Sequence, residues 1–274
     1  MATIAFFHAH PDDEALATGG TMTRLVDEGH RVVLITATRG EEGEPVPGVL
    51  EDDEALGDRR TAELHAAAGI LGVHRVAFLG YRDSGMADDP ANGHPDCFWQ
   101  ADVTAAAERL GGLLDGEDPD LLVVYDPSGG YGHPDHIQVH RVGVRWASAA
   151  GGVPVRWVTM NRDAIRSAID RAVDEFASGQ ATWADEEMLE LRRQRVEVDT
   201  FGMADAEITH AVDVTAVISR KRDAIRAHAS QVAADSFFLS MPDETFAATF
   251  GTEWFVDPGR PRNGRMQSDD LLLA

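Results

Sequence analysis

Cysteine is nearly absent from this chain of 274 residues. Cys97 is the only one, which excludes an internal disulfide and suits a reducing compartment. Lysine is as scarce, with Lys221 alone, and positive charge is short overall: 24 lysines and arginines face 47 aspartates and glutamates, for a formal net charge of −23. Affinity for DNA or RNA depends on neutralising phosphates with cations, so nucleic acid is excluded as a partner. No apolar run approaches the roughly 20 residues that cross a bilayer, and no leader-like segment precedes the first strand pattern. The expectation is a soluble cytoplasmic protein without membrane association. Also missing is a Gly-x-Gly-x-x-Gly loop after the first strand. The chain has acids there that would repel a pyrophosphate, which argues against a dinucleotide enzyme.

What is present begins in the first dozen residues. Thr3 to Phe7 is an apolar run of strand composition, and it ends in His8-Ala-His10-Pro11-Asp12-Asp13-Glu14. Pro11 biases His10 toward extended geometry, so His10 lies in the turn that leaves the strand. Asp12, Asp13 and Glu14 then open a helix, where acids are favoured simply because the helix N-terminus is partly positive. Capping does not account for an imidazole and carboxylates converging beyond the end of a buried strand, where open α/β sheets hold their ligands. Residues 120–136 repeat this grammar: an apolar strand, Leu121 to Tyr125, then a Gly/Pro-rich loop carrying His133, Asp135 and His136, then a helical pattern from Ile137. Two such loops in one parallel sheet supply enough nitrogen and oxygen donors for a three-ligand zinc centre with an open position.

Along the chain, Ala15 to Glu28 reads as a helix stopped by Gly29, and Arg31 to Ala37 as a strand. Thr38 to Gly57 is an acidic loop, and Asp58 caps the helix that follows. His74 to Leu79 is the third strand, Gly80 to Gln100 its long loop, Ala101 to Leu114 a helix and Ile137 to Ala149 another. After Val153 to Met160, a fifth strand, the pattern turns mainly helical over Arg162–Ser178, Glu186–Val198 and Asp213–Ala229. A short strand falls near Ile208–Val212, an edge strand at Thr252–Val256 and a mobile tail from Asp257. Strand, helix, strand alternation implies parallel pairing with right-handed crossovers. The predicted fold is therefore α/β, a Rossmann-like, mostly parallel sheet flanked by helices, with a smaller C-terminal α+β portion walling the cleft. Residues 1–150 would form the metal-binding catalytic domain, and 151–274 would pack on it and contribute to the pocket.

Several residues have plainer readings. His94, in a near copy of the second motif, lacks the following histidine and reads as surface; Cys97 reads as inert, and His140 as an ordinary helix residue. His8 shares the His10 face of an extended strand, next to any bound cation. Lys221, His228 and Gln231 are spaced for one helical face.

His10-Pro-Asp-Asp-Glu14 with His133-Pro-Asp-His136 resembles the paired signatures of the PIG-L/LmbE-like zinc-dependent N-deacetylases. Gly40-Glu-Glu-Gly-Glu44, Arg82-Asp-Ser-Gly-Met86, Gly129-Gly-Tyr-Gly-His133 and Ala227-His-Ala-Ser-Gln231 resemble the mycothiol-pathway branch, which comprises an N-acetylglucosaminyl-inositol deacetylase and a mycothiol S-conjugate amidase. The resemblance implies His10, Asp13 and His136 as ligands of zinc, with iron as the alternative those donors accept. It implies Asp12 as general base. His133 would stabilise the oxyanion or protonate the leaving amine, with Asp135 orienting its ring and raising its pKa, and Tyr131 would donate to the same oxyanion. It also implies that Glu44, Arg60, Asp83, Met86 and His228 contact a small N-acetylated sugar. The expected activity is removal of an acetyl group from a GlcNAc-type sugar. Conjugate amidase and deacetylase of natural-product or lipid sugars are alternatives within the family; a metallophosphoesterase and a non-catalytic metal- or sugar-binding module are rivals outside it. Oligomeric state is unreadable from the sequence.

Overall fold

The computed structural model describes residues 1–179, 186–198, 201–261 and 267–272. Its seven strands are β1 (Thr3–His8), β2 (Arg31–Thr36), β3 (Arg75–Phe78), β4 (Leu121–Tyr125), β5 (Val155–Thr159), β6 (His210–Asp213) and β7 (Thr252–Val256). They form one sheet in the order β3-β2-β1-β4-β5-β7-β6. The first five are parallel, as the alternation of strands and helices requires. β1, β2 and β4 are almost wholly buried, which explains why they read as continuous apolar runs and not as alternating patterns.

The order reverses at the centre. β1 is followed by β2 on one side, and the chain later returns to lay β4 on the other. Loops leaving the carboxyl ends of β1 and β4 therefore diverge, and the crevice between them is where open α/β sheets bind ligands. Both histidine motifs occupy those two loops.

The helices are α1 (Gly19–Asp27), α2 (Leu56–Leu71), α3 (Val103–Leu114), the single turn α4 (Gly129–Gly132), α5 (Pro134–Ala149), α6 (Arg162–Ala177), α7 (Glu186–Val196), α8 (Ile218–Ala227), the single turn α9 (Phe237–Ser240) and α10 (Asp243–Phe250). Gly143 on α5 has its Cα side pressed to β4, where a Cβ would lie 2.4 Å from Val124 Cγ1. Among the described residues no helix is long and apolar enough to cross a membrane.

Five expectations need correction. The helix over Ala15–Glu28 opens with a wide π-turn, Glu14–Thr18, before α1, and this turn directs Glu14 into the interior. Asp58 lies inside the first turn of α2, whose N-cap is Ala55, and its carboxylate accepts from Arg39 (2.7 Å) instead of capping. Asp213 ends β6 and accepts from the Thr215 N–H, so the helix expected from Asp213 starts only at Ile218. β7 is not an edge strand. It pairs antiparallel with both β5 and β6, leaving β6 outermost. The tail from Asp257, expected to be mobile, packs back where it is described: the Ser268 N–H donates to Thr209 O and Leu271 is buried. Residues 262–266 and 273–274 of that stretch lie outside the described residues.

Candidate metal centre and active site

β1 delivers His10 and Asp13, and α5 delivers His136 from its first turn. Asp13 Oδ2 accepts from the His10 N–H (2.9 Å) and lies 3.4 Å from both His10 Nδ1 and His136 Nε2. Around a tetrahedral zinc with bonds of about 2.0–2.2 Å, ligand atoms stand about 3.3–3.6 Å apart. The spacing and the mixed nitrogen and oxygen chemistry thus fit such an ion. Burial works against the Asp13 charge, but the two imidazoles hold its carboxyl well below the usual range. His133 brings a third ring nitrogen within 4.8 Å of those of His10 and His136.

The far edge of His10 faces two carboxylates, with Nε2 3.2 Å from Asp135 Oδ2 and 3.4 Å from Asp83 Oδ1. These also form a cluster with metal-ligand spacing, yet their oxygens already accept protein donors. Asp135 accepts from the Ser84 N–H (3.0 Å) and hydroxyl, and Asp83 from the N–H groups of Gly85 (2.9 Å) and Glu42 (3.2 Å). Such carboxylates orient a ligating imidazole through its second nitrogen. Burial alone would lower the His10 pKa, but Asp83, Asp13 and Asp135 together raise it well above the usual value.

This corrects the expected role of Asp135. Its carboxylate orients His10, because the Ser84 loop holds it there. Only its backbone N–H reaches His133, donating to Nδ1 (3.1 Å) as His133 caps α5. The His133 pKa is lowered, not raised, by burial and by the neighbouring His10 and His136. With Nδ1 accepting, neutral His133 carries its proton on Nε2, so it presents a donor.

Asp12 adopts φ 111°, a conformation that side-chain-bearing residues rarely take. Its N–H donates to Glu14 Oε2 (2.9 Å), and Arg60 lies 3.2 Å from its Oδ2. Burial lifts the Asp12 carboxyl to about 6, against the pull of Arg60. Arg60 itself is buried and donates to Pro11 O (2.5 Å) and Gly40 O (2.9 Å). Where the resemblance implies sugar contact, the structure gives this guanidinium protein partners.

Tyr131 stands on a turn in which Gly129, Gly130 and Gly132 all have positive φ. Its side chain is 42% exposed and its hydroxyl is 3.4 Å from His136 Nε2. Buried Asp126 shapes this turn by accepting from the N–H groups of Ser128 (2.9 Å) and Gly130 (3.0 Å), and from Thr159 Oγ1 (2.6 Å).

The model matching this chain over residues 5–147 is that of PIG-L, GlcNAc-PI de-N-acetylase. The chain belongs to the PIG-L family. A relative from Acidothermus cellulolyticus, named 1D-myo-inositol 2-acetamido-2-deoxy-alpha-D-glucopyranoside deacetylase, is 41% identical, with 93% of this chain and 88% of the relative covered. One of the same name from Thermobifida fusca is 39% identical over 94% and 93%. Among solved structures, a deacetylase from the biosynthesis pathway of teicoplanin aligns with a TM-score of 0.60 at 18% identity, covering 93% of this chain and 96% of that one, a likeness of fold.

Other residues of this PIG-L chain sit further out. Glu44 and Met86 are exposed on the loops after β2 and β3. The Glu44 loop is tied down where the Val46 N–H donates to Ser230 O (2.8 Å). His94 is exposed, Cys97 is buried, and His140 pairs through Nδ1 with Tyr125 O (2.9 Å). The shared helical face of Lys221, His228 and Gln231 does not form, since α8 ends at Ala227. Lys221 is buried on Glu253 (2.6 Å). His228, expected to meet substrate, is fully buried with Nε2 2.6 Å from Glu14 Oε1. One residue outside the expected site, Tyr125, joins it. Tyr125 stacks on His136 (4.1 Å between ring centres, 15° between planes), and its hydroxyl meets His8 Nδ1 (3.0 Å) and accepts from the Ala9 N–H (3.2 Å). His8 Nε2 in turn meets Thr18 Oγ1 (2.8 Å).

Proposed function

We propose that this protein removes the acetyl group from the amino sugar of an N-acetylglucosaminyl-inositol, using a zinc ion held by His10, Asp13 and His136. Family membership makes it a deacetylase. Relatives sharing about two residues in five over nearly the whole chain carry that substrate in their names. The observation that carries the reading is the convergence of both histidine loops on the β1/β4 crevice, with Asp13 3.4 Å from each of two imidazoles. The same donors accept iron, so the metal in the cell is a separate question for reconstitution. The single cysteine supports a cytoplasmic location.

When bound, the cation polarises the acetyl carbonyl and acidifies a water molecule. Asp12, adjacent to a ligand and with its carboxyl near 6, takes the proton from the attacking water at neutral pH. As the carbonyl oxygen gains charge, His133 Nε2–H donates to it, its tautomer fixed by the backbone of Asp135. The Tyr131 hydroxyl supplies a second donor from its glycine-flanked turn. Asp12 then returns its proton to the departing amine, so that acetic acid and amine leave, ionising to acetate and ammonium in water, with the residue reset. Asp83 and Asp135 keep the His10 ring turned toward Asp13 throughout.

Asp12→Asn keeps the side-chain volume but removes the base. Turnover is expected to fall by about 10²–10⁴-fold, with metal content and substrate affinity near wild type. Wild-type turnover in that variant would remove Asp12 from the mechanism.

A further inference from the structure

Asp12 holds a backbone conformation that costs free energy, directly beside a ligand, and something must impose it. Its N–H donates to Glu14 Oε2 (2.9 Å). The other oxygen of Glu14 is gripped by His228 Nε2 at 2.6 Å, and both side chains are fully buried. No other acid of the motif is so enclosed. His228 belongs to the C-terminal half, 214 positions along the chain, and cannot reach solvent or sugar.

We propose that Glu14 and His228 are positioning residues that fix the Asp12 carboxylate for proton transfer, so that the C-terminal half acts on turnover without touching substrate. This rests on Asp12 as the base. A helix-capping role does not account for the geometry, because Glu14 accepts from Asp12 and reaches outward from the π-turn to another element. The start of α1 has a separate buried anchor: Glu253 accepts from the Gly20 (2.8 Å) and Thr21 (2.7 Å) N–H groups and pairs with Lys221. The His228 backbone is also secured independently, its carbonyl accepting from the Gln231 (2.9 Å) and Val232 (2.8 Å) N–H groups while Ser230 donates to buried Glu63 (2.8 and 2.6 Å). Removing the imidazole therefore releases Glu14 while the segment that carries it stays tied.

The test uses the metal-loaded protein, with kcat, KM, zinc affinity by chelator competition and melting temperature read for each variant. Glu14→Ala and His228→Ala should lower kcat by about 10–100-fold, with KM and zinc affinity within about threefold of wild type. Glu14→Gln, whose amide oxygen still accepts from Asp12, should recover most of that loss. In the Asp12→Asn background, His228→Ala should add less than about a twofold further loss, because both act through one group. Lys221→Met, which removes the neighbouring structural pair, should lower the melting temperature and leave kcat in place. Full losses in the Asp12→Asn background, or a kcat unchanged by either alanine variant, would overturn the proposal. If Glu14→Ala does not fold, His228→Ala and its double variant decide alone. Low turnover of Asp12→Asn beside full turnover of His228→Ala would sink only this inference. Full turnover of Asp12→Asn would sink the base, and this inference with it.

Discussion

The ring of Tyr125 lies flat against His136, and its hydroxyl accepts from the Ala9 N–H (3.2 Å) next to His10, so one side chain ties together both loops that carry proposed ligands. Groups that orient ligands in this way govern how tightly the ion is held. Tyr125→Phe keeps the stacking and removes the hydroxyl, and zinc affinity measured by chelator competition should drop about 10–100-fold. An unchanged affinity would reduce Tyr125 to packing. That the two histidine loops would meet was legible in the sequence, because both follow strands of one parallel sheet, whereas the choice of His10, Asp13 and His136 as ligands came from the family resemblance. Tyr125 was not legible, since a tyrosine closing an apolar strand reads as core. Glu14 was not, since an acid at a helix start reads as a cap. Asp135 was misassigned for a similar reason: its neighbour in sequence is His133, while its carboxylate is directed by Ser84, 51 residues earlier.

Among elements, α5 carries the most consequence, because its first turn presents His136 and its middle presses on β4. Gly143 allows that approach, with Val124 Cγ1 2.4 Å from where a Cβ would sit. Gly143→Ala should destabilise the protein by about 1–3 kcal/mol, seen as a lower urea midpoint, because the helix must back away from the strand. A neutral result would mean that α5 shifts freely. The parallel half of the sheet was readable because each strand, helix, strand unit is local and has one allowed hand. β7 was not, because its partners β5 and β6 are separated from it by long helical excursions and nothing in five residues records which edge is already occupied. The π-turn was equally hidden, because Glu14 inside it meets His228, 214 positions away, and the local pattern records nothing of that contact.

At the scale of the molecule, the buried interior near the metal centre couples stability to pH. Burial lowers the His8 pKa from 6.5 to about 4, outweighing the opposite pull of Asp13 and Glu14. Between those values the unfolded chain binds a proton that the folded one refuses, so this contribution is complete above pH 6.5 and is lost as pH falls toward 4. Its size is about 3 kcal/mol. His8→Gln should show a shallower loss of stability over that window in urea titrations at stepped pH, whereas a slope equal to wild type would show that His8 does not set it.

Zinc-dependent deacetylation at this site is read in one measurement, the release of free amine from N-acetylglucosaminyl-inositol, followed before chelation, after it, and after zinc is restored. Release should disappear on chelation and return with zinc, and His10→Ala or His136→Ala should not regain it. Release that persists in the metal-stripped protein, or survives loss of either histidine, would contradict zinc-dependent deacetylation at this site.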